Sequence, residues 1–277
     1  SMDDVIIRSG NVRSKLQNYS DVCLLLQAPK TFVSVPFHAP VFGANRLKGY
    51  SDILLPTTRN GLPVYEKHLN IALSSPPWNE KENKAMFRGR TTGINFIKTR
   101  LENITLTNSP RFKLHEMSML QRKGLLNCSV NLDFGINEFW QYDGDLKYKE
   151  EILANYPFVE SLDFKTQFKS KYQVIVDGNA WPDRVAFYLL SGSLIFLATL
   201  HEEWVINQLI DGEHYINIKP DLSDLLEKLE WASKNDAIAE RIALSGRKFA
   251  GKKFGLNQIQ IYNAFLFMEY QKLFLKE

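Results

Sequence analysis

Residues 171–199, KYQVIVDGNAWPDRVAFYLLSGSLIFLAT, spell a strand, a turn, a helix and a second strand, an order that can pack in few ways. Tyr172 to Val176 is apolar, rich in β-branched residues and too short for a helix, which predicts a buried strand. Asp177-Gly178-Asn179 breaks it with turn chemistry. Pro182 and Asp183 suit the first turn of a helix that Arg184 to Leu190 continue, and Ser191-Gly192 stop it. Ser193 to Thr199 then reads as a second buried strand. A βαβ unit of this kind puts its first turn at the carboxyl end of a parallel strand, where open α/β sheets bind ligands. Arg184 is the basic side chain there, beside a helix start that already favours anions.

A second corner of the same type lies upstream. Lys84 to Arg88 reads as a strand, Gly89 to Gly93 as a loop and Ile94 to Leu101 as a helix. The loop carries Arg88, Arg90, Thr91 and Thr92, and its spacing is not that of a GxxxxGK[ST] phosphate loop. Further strands are expected at Asp21 to Gln27, Thr31 to Val35 and Leu125 to Phe134. Asp221 should cap a helix over Leu222 to Lys234, Asp236 a helix to about Phe254, and Leu256 to Lys276 reads as a long amphipathic helix. The charged run 79–84, NEKENK, reads as a solvated connection between domains.

Composition narrows the classes. A chain of 277 residues with 44% hydrophobic content can bury a large core. Its net charge of +3 is too small to point to nucleic acid. No run approaches the ~20 apolar residues that span a bilayer. The start, SMDDVIIRSG, lacks the pattern of a secretory signal, so a cytoplasmic location is expected. Cys23 and Cys128 read as two thiols in a reducing compartment.

DGNAWPDR, LLSGSLIF, EEW, HYINIKPDLSDL and SGRKFA, in that order, resemble glycosyltransferase family 90, which includes protein O-glucosyltransferases and capsule-associated xylosyltransferases. MFRGRTTG, Met86 to Gly93, resembles the same family's FRGS-type loop. The resemblance implies an α/β fold in a GT-B arrangement, two Rossmann-like lobes across a cleft. The acceptor lobe would span about 1–83, with the helix 256–277 packing back on it, and the nucleotide-sugar lobe about 84–255. It also implies an inverting enzyme that moves xylose or glucose from a UDP-sugar to a hydroxyl of a glycan, xylose being favoured. The UDP-sugar is the donor substrate, and neither a cofactor nor a metal is expected.

Sugar transfer needs fixed positive charge where the leaving diphosphate develops its own. Charge-assisted hydrogen bonds worth roughly 1.5–3 kcal/mol each make arginines a sufficient source for several kcal/mol. Arg184 matches the arginine of the family's equivalent turn, and one of Arg88 and Arg90 should reach phosphate while the other holds the loop. The expected donor site therefore comprises Arg88, Gly89, Arg90, Thr91 and Thr92 from the first corner. Asp177, Gly178, Asn179 and Arg184 come from the second, with bracing of the turn as the alternative role for Asp177 and Asn179. Ser191, Gly192 and Ser193 resemble a family element that meets nucleotide, with a plain helix stop as the alternative. Glu203 of EEW would meet ribose or sugar, while Trp204 is expected in the core. For the base, the family's carboxylate after an early strand has no counterpart in LQAPKTF. Asp52 and His38 are the candidates, with Glu66 and His68 behind them.

Two rival readings follow from particular residues. Asp143-Gly144-Asp145 is a D-x-D triplet, the metal site of the other large glycosyltransferase class, although DGD is also common turn chemistry. The missing early carboxylate would suit an inactive nucleotide-sugar or glycan-binding module.

Overall fold

The computed structural model describes residues 42–48, 53–56, 63–93, 109–140, 142, 146–178, 181–253 and 256–274. The strands expected at 21–27 and 31–35, the helix at 94–101 and Cys23 lie outside them.

Three short strands come first, β1 (Phe42–Gly43), β2 (Asn45–Leu47) and β3 (Ile53–Leu54), then α1 (Pro63–Leu73). β4 (Glu82–Arg90), α2 (Pro110–Arg122), β5 (Asn131–Glu138), α3 (Leu146–Asn155) and α4 (Phe164–Gln167) follow. β6 (Ser170–Val176), α5 (Val185–Leu190), β7 (Leu194–Ala198), β8 (His201–Glu203) and β9 (Ile216–Asn217) come next. The described chain closes with α6 (Leu225–Lys234), α7 (Asp236–Lys253) and α8 (Leu256–Phe274).

The central sheet is parallel throughout, in the order β5-β4-β6-β7-β9. Both of its faces are covered, as parallel sheets require. The period-two alternation of strand residues decides which face each side chain serves. On one face Tyr172, Val174, Val176, Leu194 and Phe196 pack with Leu114 of α2 and Leu225 and Leu229 of α6. On the other, Ile175, Ile195 and Leu197 pack with α5, Ala72 of α1, Ala250 of α7 and Ile259 of α8. This is a helix–sheet–helix sandwich.

Several boundaries differ from the sequence reading. β5 starts at Asn131, where Gln121 bonds the backbone on either side of that residue: its Nε2 donates to the Val130 carbonyl at 2.8 Å and Leu132 N–H donates to its Oε1 at 2.8 Å. α6 starts at Leu225, because Asp221 accepts from Ser223 N–H in a turn of its own and Asp224 becomes the cap residue. The run 79–84 is no free linker: Trp78 is buried, and the Lys81 ammonium is buried where it donates to the Phe168 carbonyl. Trp78 Nε1 also donates to Asp236, which pairs with Lys171.

The described parts of the expected first lobe pack on this same core. β2 joins β8 in antiparallel register, Asn45 opposite Glu203. His68 of α1 packs its ring on Phe164 and Phe187, 4.6 and 5.4 Å between centroids. From α8, Tyr262 donates to the Leu54 carbonyl and lies against Trp204.

Candidate active site

In chain order the five strands lie second, first, third, fourth and fifth across the sheet, so the direction of building reverses between β4 and β6. The connections after those two strands diverge and leave a crevice at their carboxyl ends, the place where doubly wound sheets take ligands. The two loops bounding it are Thr91–Gly93 and Asp177–Arg184, the two corners picked out in the sequence. They touch. Gly93 has φ +79°, and a Cβ there would lie 2.6 Å from the Gly178 carbonyl oxygen, so neither conformation nor space admits a side chain. A Cβ on Gly178 would in turn meet Thr92 Oγ1 and Arg111 Nη2 at 2.8 Å.

The arginines divide their work. Arg88 is buried, pairs with Asp133 at 2.5 Å and donates to the carbonyls of Asp133, Phe87 and Glu160. Its guanidinium is spent on holding β4 to β5. Arg90 is half-exposed; a register shift between Gly89 and Arg90 sets it opposite Glu138, with which it pairs at 2.6 Å. Arg184, half-buried, donates from Nη1 to the Arg88 carbonyl at 2.9 Å and lies over the Tyr188 ring. It therefore ties the β6 corner to the end of β4.

Arg111 was not foreseen. It sits in the first turn of α2, buried beneath both corners, and donates to the carbonyls of Arg90 at 2.8 Å and Asp177 at 3.1 Å. Gly89 and Gly178 leave room for it: a Cβ at either would come within 2.7 or 2.8 Å of its guanidinium. Ser109-Pro110-Arg111 is a helix start, and that was the available signal.

Acidic groups line the other side. Asp177 is buried and braces its own turn, accepting from Thr199 Oγ1 at 2.5 Å and Leu200 N–H at 2.8 Å. Burial pushes its carboxyl up to about 7, against the pull of those bonds and of Lys48 and Arg111. Glu203 is buried too; it accepts from the N–H groups of Val205 and Ile206, and burial raises it to about 7, helped by the charge of Asp183. Beside it Glu202 pairs with Arg46 at 2.6 Å. His201 meets Asn45 Oδ1 at 3.2 Å, and burial lowers its pKa to about 4.

Three expected donor residues lie at the opposite end of the sheet from the two corners. Ser191, Gly192 and Ser193 precede β7, and Ser193 Oγ donates to the Ser170 carbonyl at the start of β6. That is the amino edge of the sheet, roughly the length of a five-residue strand, about 16 Å, from the crevice. Gly192 has φ +71° and its N–H bonds the Leu189 carbonyl, so this element is the helix stop. α5 is also shorter than expected, six residues beginning at Val185, so its terminus adds little to Arg184. Trp204 is buried, as foreseen. His68 serves packing, and burial lowers its pKa. His38, Asp52, Asn179, Asp143 and Asp145 lie outside the described residues, as does the side chain of Glu66.

The fold and this crevice define a doubly wound α/β protein with guanidinium groups gathered at its ligand edge. The model of glycosyl transferase family 90 matches residues 60–277, and the chain belongs to that family. It is 30% identical over 244 residues to protein O-glucosyltransferase 2 of Danio rerio, covering 85% of this chain and 43% of that protein. It is 32% identical to protein O-glucosyltransferase 3 of Rattus norvegicus, covering 71% and 35%. Uncharacterized protein 035R of Invertebrate iridescent virus 3 is 28% identical over 62% of the chain and 15% of its own length. The chain thus spans less than half the length of these relatives. Among solved structures it is similar to TarM, with 14% identity, a TM-score of 0.47, and coverage of 70% of this chain and 37% of that one. No described helix is long and apolar enough to cross a membrane.

Proposed function

We propose that this chain is a glycosyltransferase that moves glucose from UDP-glucose to a hydroxyl of a glycan or protein acceptor. The names of its relatives put glucose ahead of xylose as the donor sugar. The observation that most supports this reading is the contact of two strand–loop corners at the sheet's switch point, with Arg184 spanning them and Arg111 beneath. As the bond from the anomeric carbon to the β-phosphate oxygen breaks, its electron pair goes to the diphosphate. Arg184, with Arg111 and the first turn of the 13-residue α2 behind it, would meet that charge without a metal.

In the proposed inverting reaction a base takes the acceptor hydroxyl's proton as its oxygen attacks the opposite face of the sugar. Asp52 is the proposed base, with His38 second. Gly178, Thr92 and Asn179 would line the diphosphate, and Glu203 would meet the ribose. Arg88 is left out, because its guanidinium is already committed to Asp133.

A UDP-release screen with UDP-glucose and UDP-xylose in EDTA, on wild type, Arg184→Ala and Asp52→Asn, tests the proposal. Release by wild type, lost in both variants with UDP binding kept in Asp52→Asn, is the expected result. Binding of UDP-glucose with no release by wild type would make the chain a binding module; no binding of any UDP-sugar would refute the proposal outright.

A further inference from the structure

The ligand edge of the sheet continues past β4 to β5, and Trp140 follows that strand. Its backbone is locked to the first corner: Trp140 N–H donates to Thr91 Oγ1 at 2.8 Å, and the same hydroxyl donates to the Trp140 carbonyl at 3.2 Å. Thr91 itself is fully buried, and its N–H continues the ladder by donating to the Glu138 carbonyl. The Arg90 guanidinium covers part of the indole, 4.4 Å from the ring centroid, and is held there by Glu138. Even so the residue is 43% exposed.

A large aromatic ring set beside this edge by its locked backbone, with about two-fifths of its surface in water, offers an apolar face that a ligand can cover. A salt-bridged guanidinium and carboxylate flank it, offering donors and acceptors. We infer that Trp140 is a platform for a pyranose ring: the C–H face of the sugar lies on the indole and its hydroxyls meet Arg90 and Glu138. This rests on the diphosphate lying between the β4 and β6 corners, as proposed above. Strands stand about 4.8 Å apart, so β5 is roughly 10 Å along the edge from β6, within the span of a sugar carried by a diphosphate or of the ring beyond it. Glu203 follows β7, on the other side of β6 from β5, so with the ribose at Glu203, as proposed above, the β5 side is left to sugar.

The ring can belong to the donor or to the acceptor, and calorimetric titration with UDP, UDP-glucose and methyl β-glucopyranoside separates the two. Wild type, Trp140→Ala and Trp140→Phe are compared, the last keeping a ring in case the alanine variant folds poorly. UDP should bind all three alike, while Trp140→Ala binds at least one sugar-bearing ligand about tenfold more weakly and Trp140→Phe keeps most of the affinity. Weakening confined to UDP-glucose assigns the donor's sugar; weakening confined to the glucoside assigns the acceptor's. The inference is overturned if neither sugar-bearing ligand distinguishes wild type from Trp140→Ala, or if UDP alone weakens by the same factor as UDP-glucose. Failure of wild type to bind UDP would sink the diphosphate assignment instead, and the glucoside titration would still decide the platform.

Discussion

The Arg184 guanidinium donates to the main-chain carbonyl of Arg88 at 2.9 Å, while the side chain of Arg88 turns away to Asp133. The two arginines, one at each corner, thus do different jobs. Removing Arg88 leaves the Asp133 carboxylate and three carbonyls without this donor. Arg88→Met should cost about 3 kcal/mol of stability, seen as a lower midpoint in denaturant unfolding, because one partner of a largely buried ion pair is lost. Arg184→Ala should leave the midpoint within about 0.5–1 kcal/mol of wild type and act on UDP affinity instead.

Contact between the two loops depends on glycine. Gly93→Ala puts a side chain at φ +79° and a methyl group 2.6 Å from the Gly178 oxygen, a main-chain atom that cannot step aside. It should cost about 1–3 kcal/mol and weaken UDP binding together. Gly178→Ala meets only the ends of the Thr92 and Arg111 side chains, so calorimetry should show lost affinity with a smaller change in unfolding midpoint.

The serines of the helix stop provide a control at the other end of the sheet. Ser193→Ala removes a buried hydroxyl that donates to the Ser170 carbonyl. About 1–3 kcal/mol of stability should be lost and UDP affinity should stay within twofold of wild type. An affinity loss like that of Arg184→Ala would put the nucleotide at the amino edge.

Four buried groups with large shifts dominate the pH dependence of stability between about pH 4.5 and 6.5. Asp177 and Glu203, raised by burial to about 7 from 3.8 and 4.5, keep a proton in the folded chain that the unfolded chain releases. Their contribution is present at low pH and lost as pH rises towards 7. His115 and His201, lowered by burial to about 4 from 6.5, do the opposite: their contribution is full above 6.5 and lost as pH falls towards 4. Between about pH 4.5 and 6.5 the two pairs oppose each other, each group acting at about 1.4 kcal/mol per pH unit, so wild-type stability should be nearly flat there. Asp177→Asn deletes one acid, and its unfolding free energy should fall more steeply than that of wild type on acidification from pH 6.5 to 4.5. Equal slopes in guanidinium titrations at several pH values would contradict this.

The β6 corner was legible as a local pattern, a β-branched run, a turn, then a helix; β4 was legible as an apolar run feeding a glycine-containing loop, while the helix expected at 94–101 lies outside the described residues. Trp204 was placed in the core for its size and is found there against Tyr262. Arg111 was not legible, because its importance comes from the packing of a helix start under two glycines, one of them 67 residues later in the chain. For Ser191 to Ser193 the motif pointed to nucleotide and the local chemistry to a helix stop; a helix that follows a strand returns the chain to the sheet's amino edge, which is where they lie. The run 79–84 misled by its charge, since Lys81 is buried by a carbonyl supplied from Phe168.

Determining the structure of the wild-type protein with UDP bound in the presence of EDTA tests the central claim most directly. The account predicts the diphosphate between Thr91–Gly93 and Asp177–Arg184, within hydrogen-bonding distance of Arg184. A diphosphate beside Ser191–Ser193, or one that enters the crevice only when Mn²⁺ is supplied, would contradict it.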